Sequence, residues 1–336
     1  NQSADEADNR RMAAITRDLI AATLANGEIT GQGRLPLDAS GTGEMRVAWR
    51  ALDVGALARA AALDVSGARV TAVADGTVRL DWTGQDITAG RGTFDNRLRA
   101  SPSARGALAI EGRTALTLDR GNWQLALDHH IGPAIALNGR VGGRLDADDL
   151  TASTVTGQAV VQIEQLADAV GDLEASGLTL DLAAVRPLRA RVHVTAALDG
   201  TLGSPRVAST LEASGLRYDE VGPGLAEATI VATATDVTIE RAHVELGPNT
   251  VDVRAAIGLD ANTLTGEVTG ELPDIALLAA VVPVDWRPHG SARVQAQLSG
   301  PLDNPVVAAT LTSDELSVAG QTARRLRASA RLENRV

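Results

Sequence analysis

Val192–Leu216 reads V-H-V-T-A-A-L-D-G-T-L-G-S-P-R-V-A-S-T-L-E-A-S-G-L, and Ala292–Leu316 reads A-R-V-Q-A-Q-L-S-G-P-L-D-N-P-V-V-A-A-T-L-T-S-D-E-L. The two stretches align without a gap at an offset of 100 residues. Val194 matches Val294, Ala196 matches Ala296, Leu198 matches Leu298, Gly200 matches Gly300, Leu202 matches Leu302, Pro205 matches Pro305, Val207 matches Val307 and Leu211 matches Leu311. Within each copy apolar residues recur at every second position, the period of a β-strand with one dry face. Val192, Val194, Ala196 and Leu198 fall on one side, His193, Thr195 and Asp199 on the other; in the second copy Arg293, Gln295 and Gln297 take the polar side. Each copy is therefore a strand, a G-x-L-x-x-P turn and a second strand. Gly200 and Gly300 permit the reversal, Pro205 and Pro305 fix φ before the next strand, and Leu202 and Leu302 are expected to anchor the turn on the apolar face.

The same period runs outward from this repeat. Thr71–Leu80, Ala107–Leu118, Trp123–Leu127, Ala226–Ala234, Val237–Leu246, Val251–Ile257 and Leu264–Leu272 all alternate, and most end in Asp-Gly, Gly-Pro, Asn-Thr or Ser-Gly. Strand and turn lengths of this kind predict roughly twenty strands. Helical spacing is confined to short pieces: Asp53–Ala62 and Asp274–Val282, each opened by an aspartate suited to an N-cap, with Gln162–Val170 and Leu180–Val185 as shorter examples. A longer helix is expected over Ala4–Ala25, from Met12, Ile15, Leu19, Ile20 and Leu24. The chain divides into an N-terminal helix or cap (1–27), a β section of weaker repeat (31–185) and the repeat section (186–336).

Composition sharpens the fold. Hydrophobic residues make up 44% of the chain but aromatics only 2%, so the apolar positions are Ala, Val, Leu and Ile. Such small side chains on one face of a curved sheet leave a trough where a two-sheet sandwich would interleave bulk. A sandwich packed with Val, Leu and Ile is the alternative. An open trough exposes apolar surface at about 25 cal/mol per Å² and calls for an apolar guest, a membrane or a partner. The predicted groove-lining positions are Val194, Ala196, Leu198, Val207, Leu211, Ile230, Val244, Leu246, Val253, Ile257, Val268, Val294, Leu298, Val307 and Leu311.

Several chemistries are excluded. All 31 basic residues are arginine, so no Schiff-base or P-loop lysine exists, and with no cysteine there is no thiolate chemistry, disulfide or thiolate metal site. The net charge of -11 argues against nucleic-acid binding. No apolar run approaches the roughly 20 residues that cross a bilayer as a helix. Of the five histidines, His129-His130 is expected at a surface turn, while His193 and His243 sit opposite the apolar parity as solvated or cross-strand residues. Asp146, Asp148 and Asp149 read as a solvated turn lacking the glycine and terminal glutamate of a calcium loop. Neither a metal site, a cofactor nor a nucleophile with its base is expected, and the chain reads as non-enzymatic.

The G-x-L-x-x-P repeat resembles the recurring element of the AsmA-like superfamily, and within it the TamB translocation and assembly module family. Leu264, Gly266, Val268 and Gly270, followed by Leu272, Pro273, Asp274 and Ile275, are similar to a second phrase of that element. The resemblance covers about Arg189 to Val336 and is diffuse over Gly31 to Asp181. It implies an all-β fold, an elongated, twisted, curved antiparallel sheet that is U-shaped in section with an apolar groove, here accompanied by short helices including the N-terminal one. It also implies a periplasmic protein anchored in the inner membrane, which moves phospholipid acyl chains or assists outer-membrane assembly with a β-barrel partner. The chain would then be an internal section, its anchor lying outside it. A scaffold for outer-membrane protein assembly is the first alternative, and a secreted glycan-active or adhesive β module the second.

Overall fold

Alternation of small aliphatic and polar residues leaves the backbone no way to bury its apolar side as a helix, and the described residues form twenty strands. The computed structural model describes residues 20–24, 26–36, 38–60, 69–101, 107–177, 185–218, 221–277, 288–318 and 320–333. The fold is all-β with antiparallel pairing, and the short helices are few. Two compact units divide the chain: residues 1–159, 171–180 and 199–203 form the first, and 160–170, 181–198 and 204–336 the second.

The first unit holds β1 (Ile20–Leu24), β2 (Gly27–Arg34), β3 (Thr42–Asp53), β4 (Val70–Thr71), β5 (Val73–Thr83), β6 (Arg91–Arg99), β7 (Leu108–Asp119), β8 (Asn122–Ile131) and β9 (Ile135–Arg144). It also takes the start of β10 (Thr156–Ile163). β1, β2, β3, β5, β6, β7, β8 and β9 are antiparallel neighbours in that order. β4 instead passes the end of β6 and pairs in parallel with β7, Val70 opposite Leu108. That detour builds a sealed rim. Val54 donates its N–H to Ala72 O at 3.0 Å, Leu108 to Arg69 O at 2.7 Å and Arg69 to Ser176 O at 2.7 Å. Leu52, Ala72, Ala74, Leu108, Ala134 and Ser176 are buried there.

The second unit contains β11 (Leu188–Gly200, up to Leu198), β12 (Pro205–Tyr218), β13 (Val221–Ala232), β14 (Asp236–Leu246), β15 (Asn249–Gly258), β16 (Thr263–Leu272), β17 (Pro288–Gly290), β18 (Ala292–Pro301), β19 (Val306–Val318) and β20 (Gln321–Leu332). From β12 to β16 each strand pairs with the next; β16 then pairs with β18, β18 with β19 and β19 with β20, while β17 pairs with the end of β19. Its rim is sealed by Leu272, Ile275, Ala292 and Leu316 in one cluster and Ala190, Ala213 and Leu216 in another.

The short helices follow the aspartates. Asp53 Oδ1 accepts from Ala56 N at 2.9 Å and caps α1 (Val54–Ala60), and Asp274 Oδ1 accepts from Ala276 N at 3.1 Å at a 3-10 turn, Ile275–Leu277, after which the rest of the expected Asp274–Val282 helix lies outside the described residues. The third, α2 (Leu166–Ala175), starts later and runs further than Gln162–Val170, because β10 holds the chain extended to Ile163. The stretch Leu180–Val185 lies almost wholly outside the described residues. So does most of the expected N-terminal helix, but its last turn is corrected: Ile20–Leu24 is a strand, Ile20 opposite Gly31 and Leu24 opposite Gly27. Asn26, at φ 63, adopts the left-handed backbone that a tight reversal before Gly27 requires, and the resulting hairpin pairs the backbone groups that a helix would have claimed.

The repeated turns share a glycine of positive φ but not the anchor expected from sequence. Gly200 and Gly300 sit at φ 110 and 103 at their strand ends, Pro205 opens β12 and Pro305 directly precedes β19. Leu202 and Leu302, however, are 48% and 36% exposed. Main-chain bonds hold these loops instead: Leu202 N donates to Ser153 O at 2.9 Å and Leu302 N to Asn262 O at 3.1 Å. The leucine side chains are left exposed rather than buried as anchors.

Candidate functional site: the apolar sheet faces

Residues directly opposed in an antiparallel pair project on the same side, so the register traces a face from strand to strand. In the second unit, Val207, Ser209 and Leu211 of β12 oppose Ala232, Ile230 and Ala228 of β13. Ala226 and Gly224 then oppose Val244 and Leu246 of β14. Val237, Ala242 and Val244 lead to Ile257, Val253 and Val251 of β15, and these to Leu264, Val268 and Gly270 of β16. Gly266, Val268 and Gly270 oppose Leu298, Ala296 and Val294 of β18, which oppose Val307, Ala309 and Leu311 of β19. On β11, Val192 packs, as Leu211 does, against the cluster of Ala190, Ala213 and Leu216, and Val194, Ala196 and Leu198 share its parity. Every groove-lining position named from sequence therefore lies on one face of this unit. Of the turn residues, Gly300 opposes Leu264 and so continues this face, Pro205 opens β12, and Leu302 and Pro305 lie in the loop between β18 and β19; Gly200 and Leu202 belong to the first unit.

Coverage is what distinguishes this face from a core. All the named lining residues are partly exposed, whereas the fully buried side chains of the unit sit at its rim. Neighbouring strands shield their flanks; the tops of the side chains meet solvent.

The opposite face is polar and paired across strands. Thr195 Oγ1 and Thr210 Oγ1 are 2.5 Å apart, Arg293 faces Glu271 at 3.8 Å and Arg324 faces Glu315 at 3.4 Å. His243 Nδ1 lies 2.9 Å from Asp252 Oδ1 and its Nε2 3.1 Å from Glu245 Oε1. Hydrogen bonds to Glu245 and then to Asp252 hold the imidazole above its ordinary pKa, against the smaller opposing effect of burial. The cross-strand role expected of His243 is the one it has.

The first unit repeats the two-sided design with larger side chains. Met45, Val47 and Trp49 of β3 oppose Leu80, Val78 and Gly76 of β5; Phe94 of β6 opposes Leu116 of β7, and Leu116 opposes Leu125 of β8. Ion pairs such as Arg99–Asp75 (2.5 Å), Arg91–Asp119 (2.8 Å) and Arg113–Asp95 occupy the other side. The rings lie across glycines of adjacent strands. A Cβ on Gly43 would collide with the Trp82 ring, one on Gly76 with Trp49, and one on Gly112 would come within 2.8 Å of His129 Nδ1. Laid flat in this way, the rings add apolar area without filling the space above the sheet.

His129 departs from the surface-turn expectation. Both it and His130 belong to β8; His130 faces solvent, while His129 is 8% exposed with Nε2 2.8 Å from Thr114 Oγ1. A strand turns adjacent rings to opposite sides, and Gly112 makes room for the inward one. The acidic turn behaves as expected, Asp146 Oδ1 accepting from Asp148 N and Asp149 N at 3.0 Å.

No family model, curated protein or solved structure matches this chain. The functional reading thus rests on the faces themselves and on the repeat. Sequence reasoning named no lining residue in the first unit, although Thr71–Leu80 and Ala107–Leu118 carried the alternation. The ring–glycine pairs needed the register to be seen.

Proposed function

We propose that this chain is a section of a TamB-like, AsmA-related protein that shields and conducts phospholipid acyl chains along its apolar sheet faces, without bond chemistry. The supporting observation is that the aliphatic lining residues of the second unit stay partly exposed while its buried side chains sit at the rim; the first unit has one apolar face as well, bearing rings and buried at Trp82 and His129. An acyl chain costs about 0.8 kcal/mol per CH₂ to keep in water, so a broad aliphatic lining accepts it without a headgroup pocket. The resemblance supplies the setting, the periplasm between inner and outer membranes with an anchor in the inner one.

Photocrosslinkers placed at Val268 and Leu298 in a cell with two membranes should label lipid, and probes at Thr195 and Arg293 should not. Equal labelling from both faces, or none from the apolar face of folded, correctly localised protein, would overturn the reading. A scaffold for outer-membrane β-barrel assembly is the second reading, since the same partly exposed aliphatic positions could take the apolar side of a nascent strand. Crosslinks from Val268 and Leu298 to protein, with no lipid, would select it.

A further inference from the structure

A row of polar side chains crosses the apolar face of the first unit. Trp49 Nε1 donates to Asn96 Oδ1 at 3.0 Å, reaching over Gly76 of the strand between them. Asn96 opposes Thr114 on the next strand, and Thr114 Oγ1 lies 2.8 Å from His129 Nε2. Above and below the row the face is apolar, with Val78, Leu80, Phe94, Leu98, Leu116, Leu125 and Leu127 on the same strands.

The row satisfies itself incompletely. The indole holds Asn96 Oδ1, which fixes the amide and leaves both Nδ2 hydrogens without an acceptor among the described residues. At the far end His129 is 8% exposed and its Nδ1 has no hydrogen-bond partner among the described residues. Asn96 is half-exposed, so water reaches its amide in the free protein; a hydrocarbon chain laid over it would strip that water unless the guest brought an acceptor of its own. A purely aliphatic guest would gain nothing from such a row. A guest carrying a carbonyl between two apolar stretches would.

We infer that Asn96, held by Trp49 and flanked by Thr114, is the seat for the acyl carbonyl of an ester-linked lipid whose hydrocarbon lies on the apolar residues to either side. This rests on the proposal that the face takes acyl chains, and it adds a point of registration to an otherwise featureless path.

Methyl oleate and 1-octadecene share hydrocarbon length and one double bond and differ chiefly by the ester, the double-bond position being common to every variant compared, so both are titrated in radiolabelled form from a cyclodextrin carrier into the whole chain. The informative quantity is the ratio of their affinities, compared between the unsubstituted protein and Asn96→Leu, because partition into the carrier cancels. The ratio should fall about tenfold in Asn96→Leu, the worth of one neutral hydrogen bond, with 1-octadecene binding unchanged. Asn96→Gln, which restores the amide, should recover most of it. An unchanged ratio in Asn96→Leu, with circular dichroism showing the fold intact, overturns the inference while leaving the acyl-chain reading in place. Failure of the unsubstituted protein to take up either probe overturns both. Should Asn96→Leu misfold, Thr114→Val gives the second arm, and an unchanged ratio there also counts against the carbonyl seat.

Discussion

Whether the apolar face is open or sealed can be decided by truncating one leucine from each setting within the second unit. Leu272 is 3% exposed, packed with Ile275, Ala292 and Leu316. Leu298 is partly exposed; Gly266 stands opposite it on one side and Val307 on the other, so one of its flanks has no side chain at all. Leu272→Ala removes atoms from a closed cluster and leaves a cavity, which costs about 2–5 kcal/mol. Leu298→Ala opens onto solvent, so no cavity term applies, and part of the transfer free energy was never gained. Full burial of a leucine is worth about 1.5–3 kcal/mol, and the partial burial of Leu298 brings the expected loss to about 1 kcal/mol. Because two compact units need not unfold together, the assay is native-state amide hydrogen exchange of β16 and β18, which reports the local opening free energy. Leu272→Ala should lower protection much more than Leu298→Ala. A loss at Leu298 equal to or greater than that at Leu272 would mean a filled core and would refute the open face.

Three further outcomes follow from individual contacts. The raised pKa of His243 means its contribution is full below the unfolded imidazole pKa of about 6.5 and is lost as pH rises through the higher folded value. Exchange protection of β14 and β15 should therefore weaken from mildly acid to alkaline pH, and His243→Gln should flatten that dependence; the carboxylates facing it are Glu227, Glu245 and Asp252, with Arg241 beside them. Asn249→Ala removes two bonds to the Asp274 backbone, Nδ2 to O at 2.9 Å and N to Oδ1 at 3.1 Å, and should cost about 1–3 kcal/mol in protection of the Ile275–Leu277 turn. No change there would deny the clamp. Gly43→Ala drives a methyl into the Trp82 ring and should red-shift tryptophan emission and lower the melting temperature, at an overpacking cost of about 1–3 kcal/mol; unaltered emission would contradict the ring–glycine contact.

Parity was the most legible feature. Val194, Val268 and Val307 lie far apart in the chain, yet each could be placed on the dry side because a strand's period is two and charged residues marked the wet side. Contacts that depend on which strand lies beside which were not legible. Nothing local in D-H-H distinguishes a turn from a strand with one ring inward; the decision came from Gly112 on the neighbouring strand. The leucine of the repeated turn misled for a related reason. An apolar residue in a loop suggests an anchor, but a main-chain N–H from that same residue reached Ser153 O or Asn262 O first and fixed the loop with its side chain exposed. At Ile20–Leu24 helical spacing extended into residues that a hairpin turn at Asn26 had already committed to pairing.

Flat rings over glycines also solve a problem of ambiguity. An alternating sequence of Ala, Val and Leu forbids sliding one strand past another by a single residue, since that exchanges wet and dry sides. Sliding by two preserves the alternation and is scarcely penalised when the apolar residues are nearly interchangeable. Trp49 and Trp82 remove that freedom locally, because a two-residue slip in either direction would set at least the Trp49 ring against a side chain, Ala74 or Val78, where Gly76 now stands. The strands of the second unit carry no such rings among the described residues, and rely on irregular pairing, between Thr229 and Ile230 and between Ile239 and Ala242, to mark position. Slipped, fully hydrogen-bonded conformers should accordingly accumulate during refolding of the second unit rather than the first.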